Sequence, residues 1–203
     1  MAISLNKGGN VSLTKEAPSL VKVGIGLGWS ARVTSGSDFD PDASAFMLNS
    51  NGRVRSDADF IFYRQLESTC KSVKHTGDNR TGDGEGDDET ILVDLSKVPA
   101  DVQKVVFTVT IYDFQSRRQN FGMVSDAYIR IFDQEQSVVD PLSGERVFKE
   151  IARYDLSEEA SSVTAMIFGE LYRHNGEWKF KAVGQGFDNG LGELARNFGV
   201  DVE

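Results

Sequence analysis

A chain of 203 residues with one cysteine, two histidines and a net charge of −9 can bury a self-sufficient core. It excludes an intramolecular disulfide, a cysteine-based zinc cluster and a histidine-rich transition-metal site. The net charge also argues against direct grip on nucleic acid or anionic lipid, because both need a basic face.

The opening MAISLNKGGNVSLTK has no basic-then-apolar leader pattern, and no apolar run approaches the ~20 residues of a membrane span. A soluble, cytoplasmic protein is the expectation. From residue 21 onward the sequence alternates with a period of two. In VKVGIGLGW, Val23, Ile25, Leu27 and Trp29 oppose a face of Gly24, Gly26 and Gly28. Its G-x-G-x-G spacing within a strand-like run is not a dinucleotide fingerprint; close backbone approach or sheet packing explains it better. Further strands are predicted at 44–48, 59–63 and 90–95. In KVVFTVTIYD, Val105, Phe107, Val109 and Ile111 share one face, with Val106, Thr108, Thr110 and Tyr112 on the other. DAYIRIFD turns Ala127, Ile129 and Ile131 inward. Residues 133–150 read as an extended hairpin with its tip at Pro141 to Gly144. Strands follow at 150–156 and 164–174, and GEWKFKAVG sets Trp178, Phe180 and Ala182 against Glu177, Lys179 and Lys181.

Helical periodicity is clear only in GLGELARNFGV. There Leu191, Leu194 and Phe198 form one stripe and Gly199 is a plausible C′ residue, which predicts a helix over about 190–199. SKVPADV and SEEAS suggest shorter helical turns. With no internal repeat and no low-complexity linker, the expected fold is a single all-β domain over 1–203. It is an antiparallel β-sandwich of two sheets with short helices, one near the C-terminus.

The chemistry concentrates in HTGDNRTGDGEGDDE (75–89), which holds Asp78, Asp83, Glu85, Asp87, Asp88 and Glu89. Two unit charges about 4 Å apart in a surface-like dielectric repel by about 4 kcal/mol. Such a run either stays solvated or closes on something positive. The interspersed glycines permit sharp turns, which let several oxygens converge. Ca²⁺ takes about 6–8 oxygen ligands at about 2.3–2.6 Å. A second acidic stretch, SDFDPDASAF, spaces Asp38, Asp40 and Asp42 at alternate positions just before a strand. It is not an EF-hand: Ala43 stands where that loop needs glycine, and Asn49 where it needs the bidentate glutamate. Calcium loops at one end of a β-sandwich reconcile the oxygen chemistry with the strand scaffold. His75 can serve as a ligand or general base, as a hydrogen-bond donor behind the ligands, or as a plain surface residue. Arg117 and Arg118 can bind an anion or pair with the acidic loops. No G-x-S-x-G, Walker, H-E-x-x-H or Cys–His arrangement is present, so no catalytic residue is assigned.

In combination, ISLNKGGNVSLTK, VGIGLGW, FDPDASAFML, HTGDNRTGDGEGDDE, VPADVQKVVFTVTIYD, RRQNFGMVSDAYIRI, EIARYDLSEEAS and AMIFGELYRHNGEWKFKAVGQGF resemble the tellurium-resistance TerD family across most of residues 3–187. That family also includes cAMP-binding proteins of slime mould. The resemblance implies a two-sheet sandwich with Ca²⁺, more than one ion, held by acidic loops at one end. Carried over by position, the ligands are Asp40 and Asp42, then Asp78 and Asn79, then Asp87, Asp88 and Glu89. Asp38, Asp83 and Glu85 are weaker matches, since similar positions in the family motif are less firmly acidic. It further implies a non-enzymatic stress-response protein docking other Ter-family proteins, among them a TerC-like membrane protein. The chain would then sit peripherally at the inner face of the membrane, with no insertion and no nucleic-acid partner. Departures are Pro41 where the family usually has leucine, the long 133–150 hairpin, and the tail from Asp188. Two alternatives stay open: a Mg²⁺- or Mn²⁺-dependent hydrolase or phosphotransferase, and a nucleotide-binding module with solvated acidic loops.

Overall fold

The computed structural model describes residues 2–31, 39–77, 86–144, 146–156 and 162–201. In chain order its elements are β1 (Ile3–Leu5), β2 (Asn10–Ser12), α1 (Leu13–Glu16), β3 (Lys22–Ala31), β4 (Pro41–Leu48), β5 (Phe60–Ile61) and β6 (Val73–His75). They continue with β7 (Glu89–Asp94), β8 (Lys104–Ile111), α2 (Phe114–Arg117), β9 (Val124–Val139), β10 (Arg146–Asp155), β11 (Ala165–His174), β12 (Glu177–Phe187) and α3 (Gly190–Phe198). One sheet has the order β1-β10-β9-β3-β7-β6 and the other β2-β12-β11-β8-β4-β5. Every pairing is antiparallel except β1 on β10. The expected all-β sandwich is therefore the fold. Among the described residues no helix is long and apolar enough to cross a membrane.

The period-two pattern decides which side chains meet between the sheets. Val23, Ile25 and Leu27 of β3, Phe107 and Val109 of β8, and Ile129 and Ile131 of β9 are all fully buried in one apolar cluster. Each such side chain contributes about 1.5–3 kcal/mol relative to leaving it in water. The reverse face of β8 is covered as well. Val106 joins Phe46, Leu48, Phe60, Ile167 and the α3 residues Leu194 and Ala195 in a second cluster, with Leu191 and Phe198 at its margin. The predicted leucine stripe is what docks α3 there. The helix ends as expected: Gly199 has φ +85°, its amide bonds to Arg196 O, and the Val200 amide reaches back to Ala195 O. This is a Schellman closure, with the buried Val200 as its apolar contact.

β9 and β10 form the long hairpin, pairing Val139 with Arg146 at its far end. Asp140 shapes the turn, its carboxylate accepting the amides of Leu142 (2.7 Å) and Ser143 (3.0 Å). Elsewhere the sequence reading needs correction. β1, β2 and β6 are three-residue strands, too short to show alternation. The strand expected at 59–63 shrinks to Phe60–Ile61. Asp59 closes a 3-10 turn before it, accepting Arg55 Nε and Nη2, each at 2.8 Å. SKVPADV forms hydrogen-bonded turns without a helix, and SEEAS (157–161) lies outside the described residues.

Candidate functional site

The end of β3 and the start of β7 meet the start of β4 at one pole of the sandwich, and these segments carry the described candidates Asp40, Asp42, Asp87, Asp88 and Glu89. Asp88 is tied to β3 twice. Its amide donates to Leu27 O (2.9 Å), and its Oδ2 accepts the Trp29 amide (2.7 Å). Glu89 occupies the first position of β7, on the inward face shared with Ile91 and Val93. Its side chain is 1% exposed. A carboxylate so buried must be hydrogen-bonded to be tolerated. Glu89 Oε2 accepts the Ala43 amide of β4 in the opposite sheet (2.5 Å), bridging the two layers.

His75 of β6 lies beside this bridge, also 1% exposed. Its Nδ1 accepts the Gly77 amide (3.1 Å), which leaves the ring proton on Nε2. Nε2 stands 3.3 Å from Glu89 Oε2 and has no hydrogen-bond partner among the described residues. Of the three readings for this residue, burial removes the plain surface one.

Asp87 turns the other way, onto the outer face of the first sheet. Both its oxygens are engaged by the Arg130 guanidinium, Nε to Oδ1 at 2.7 Å and Nη2 to Oδ2 at 2.8 Å. The Tyr128 hydroxyl donates to Oδ1 at 3.1 Å. Arg130 also lies 3.6 Å from Glu150 and over the Phe132 ring at 5.0 Å. The glycine face of β3 makes room for this cluster. Gly24, Gly26 and Gly28 pair directly with Phe132, Arg130 and Tyr128. A methyl group on Gly26 would overlap the Asp87 carboxylate, and one on Gly24 or Gly28 would overlap the facing aromatic ring. Sheet packing is thus the reason for the glycines.

The electrostatics follow from this crowding. Burial raises the pKa of Asp88; the Trp29 amide opposes the rise, while the charges on Asp87 and Glu89 add to it. Burial also disfavours charge on Arg130, yet its bond to Asp87 and the fields of Asp87 and Glu150 hold its pKa above the ordinary value. Tyr128 is raised too, by burial and then by the Asp87 charge.

The Asp40 carboxylate lies 3.7 Å from Arg117, so one of the two arginines does pair with an acidic loop. The Asp40 carbonyl accepts the Tyr112 amide (2.9 Å). Asp42 is 8% exposed, pairs across the ladder with Thr110, and borders a cleft of about 250 Å³ that Tyr63, Tyr112, Asp113 and Asn189 also line. Asp38, Asp78, Asn79, Asp83 and Glu85 lie outside the described residues. Among the described residues no three His, Cys, Asp or Glu side chains form a shell for a metal ion. The structure therefore brings Glu89 against the start of β4, ties Asp88 to the end of β3 and turns Asp87 to the outer face. Sequence reasoning missed Arg130 and Tyr128. Their signal was present: both alternate with the inward Ile129 and Ile131, facing the glycine stripe.

The model of the TerD domain matches residues 1–198. The tellurium resistance protein TerD of Serratia marcescens is 57% identical over 202 residues, covering both chains completely. General stress protein 16U of Bacillus subtilis is 50% identical over 203 residues, again with full coverage of each. Among solved structures, a homologue of the telluride resistance protein from Streptomyces coelicolor superposes with a TM-score of 0.67 at 19% identity, covering 87% of this chain and 96% of the other. That likeness concerns the fold. On the full-length match and these relatives, the chain belongs to the TerD family of tellurium- and stress-resistance proteins.

Proposed function

We propose that this protein is a non-enzymatic, calcium-binding stress-response protein whose acidic pole becomes an ordered docking surface when it binds cations. The observation that carries this reading is the juxtaposition of Asp88 with Glu89. Two carboxylates in adjacent positions, one fully buried and the other raised in pKa by burial and by its acidic neighbours, are what a hard dication relieves. Asp40, Asp42, Asp88 and Glu89 would supply oxygens from the described strands. Asp38, Asp78 and Asn79 would supply them from the adjoining segments. The donor set is all oxygen, which suits Ca²⁺ over softer metals. Bound calcium supplies positive charge that offsets the mutual repulsion. A ligand at 100 times its dissociation constant stabilises the folded form by about 2.7 kcal/mol.

The names of the relatives, tellurium resistance protein and general stress protein, support the resistance role. Docking of other Ter-family proteins, including a TerC-like membrane protein, at the cytoplasmic face belongs to the same proposal. Calorimetric titration with Ca²⁺ and Mg²⁺, run beside an assay for phosphate-ester turnover, tests it. Calcium binding without turnover is expected. Magnesium preference with hydrolysis would replace it with the metal-dependent hydrolase.

A further inference from the structure

We infer that Asp87 serves the acidic pole as a tether and is not itself a cation ligand, and that Arg130 and Tyr128 are positioning residues that hold Asp88 and Glu89 in place through it. This rests on the calcium reading above. In a regular strand Asp87 and Glu89, two residues apart, would share a face. Here Glu89 points into the core and Asp87 to the outer face, so the entry to β7 departs from alternation. Gly86, at φ +116°, begins that departure. An irregular entry carrying three consecutive acids needs attachments on both sides. Glu89 is attached inside, to the Ala43 amide. Asp87 is attached outside, by the two-pronged guanidinium bond and the tyrosine hydroxyl. Asp88 lies between these anchors.

Charge-assisted two-pronged bonds are stronger and more directional than neutral ones. A cation coordinated by Asp87 would have to displace Arg130 and would then sit beside its positive charge. Asp87 and Arg130 are also mostly buried, at 8% and 21% side-chain exposure, so breaking the pair leaves a poorly solvated charge behind. The guanidinium offsets the charge of Asp87 beside Asp88, which leaves less repulsion for the cation to relieve. Gly26 completes the device, since any larger residue there would evict the carboxylate.

The test is a double-substitution cycle on the full chain, read by Ca²⁺ calorimetry and by the Trp29 amide signal in ¹⁵N NMR. Arg130→Met should weaken calcium binding by about tenfold or more, in the range found for groups that orient metal ligands. It should also move the Trp29 resonance in calcium-free protein, because Asp88 no longer meets that amide. Adding Asp87→Asn to Arg130→Met should then change affinity by less than about twofold, because linked residues are not additive. Arg130→Lys should restore part of the affinity. If Arg130→Met does not fold, Tyr128→Phe, which removes one hydroxyl, should still weaken binding and shift Trp29. Full additivity of Asp87→Asn, or unchanged affinity in Arg130→Met or Tyr128→Phe, overturns the tether while calcium binding stands. A wild-type chain that takes up no calcium overturns both.

Discussion

Gly26 stands directly across the ladder from Arg130, and the volume its absent side chain leaves is occupied by the carboxylate that Arg130 holds. Backbone, cation and anion form one packed unit on the outer face of the sheet.

Gly26→Ala should therefore act as an electrostatic substitution as well as a steric one. Its methyl expels Asp87 from a mostly buried pair, and breaking such a pair costs about 3–5 kcal/mol. Partial solvent access to Arg130 lowers the expectation to about 2–3 kcal/mol. Urea unfolding of the calcium-free protein measures it. A loss below about 0.5 kcal/mol, the size of an ordinary surface substitution, would show that the cluster re-forms elsewhere at little cost.

Asp88 gives a pH signature with a defined sign. Its folded pKa is raised, so the folded state holds its proton more tightly than the unfolded chain does. Asp88 then contributes nothing to the pH dependence well below the ordinary carboxylate range. As pH rises through the raised value, it destabilises the calcium-free protein. Asp88→Asn should consequently match wild type in strongly acidic solution and become the more stable chain by neutral pH. Melting curves of both proteins across that range, in chelator, provide the check.

With calcium present the order should reverse. Asp40→Asn, Asp78→Asn and Asp88→Asn should each lower calcium affinity and remove most of the calcium-induced rise in melting temperature. Unchanged affinity in all three would place the cation elsewhere.

Leu194→Ala tests the second core. Leu194 is fully buried in the cluster between α3 and the outer face of β8 and its neighbours. Truncation should cost about 2–5 kcal/mol, as for other buried leucines. The cleft beside Asp42 is lined by Leu191 and Gly192 of α3 and not by Leu194, so calcium affinity in the folded variant should stay close to the wild-type value.

The hairpin tip should be dispensable for folding. Val139 and Leu142 are 61% and 97% exposed, so their apolar atoms add little burial. Replacing residues 138–147 with a two-residue Asn-Gly turn should leave the melting temperature within about 2 °C, as expected when an exposed loop tip is removed. A large fall would mean that the far end of the hairpin is structural.

Alternation in the long strands was enough to assign their inward faces, because period two is a property of the backbone that any one strand displays. The leucine stripe and Gly199 were enough for α3 and its end, because both signals are local. Acid spacing marked the pole for the same reason: charge density is visible in sequence order. Three-residue strands carry too few positions to show a period, and β1, β2 and β6 exist because neighbouring edges supply their hydrogen bonds. The roles of the three consecutive acids were equally hidden. Asp87, Asp88 and Glu89 look equivalent in the chain, yet one meets an arginine 43 residues away, one a β3 amide and one the opposite sheet. Composition and periodicity thus determined by themselves that this is a strand sandwich with an acidic pole. Only the tertiary structure decided which acid meets a guanidinium and which meet backbone amides, because that depends on partners brought together by the register between β3 and β9 and by the stacking of two sheets.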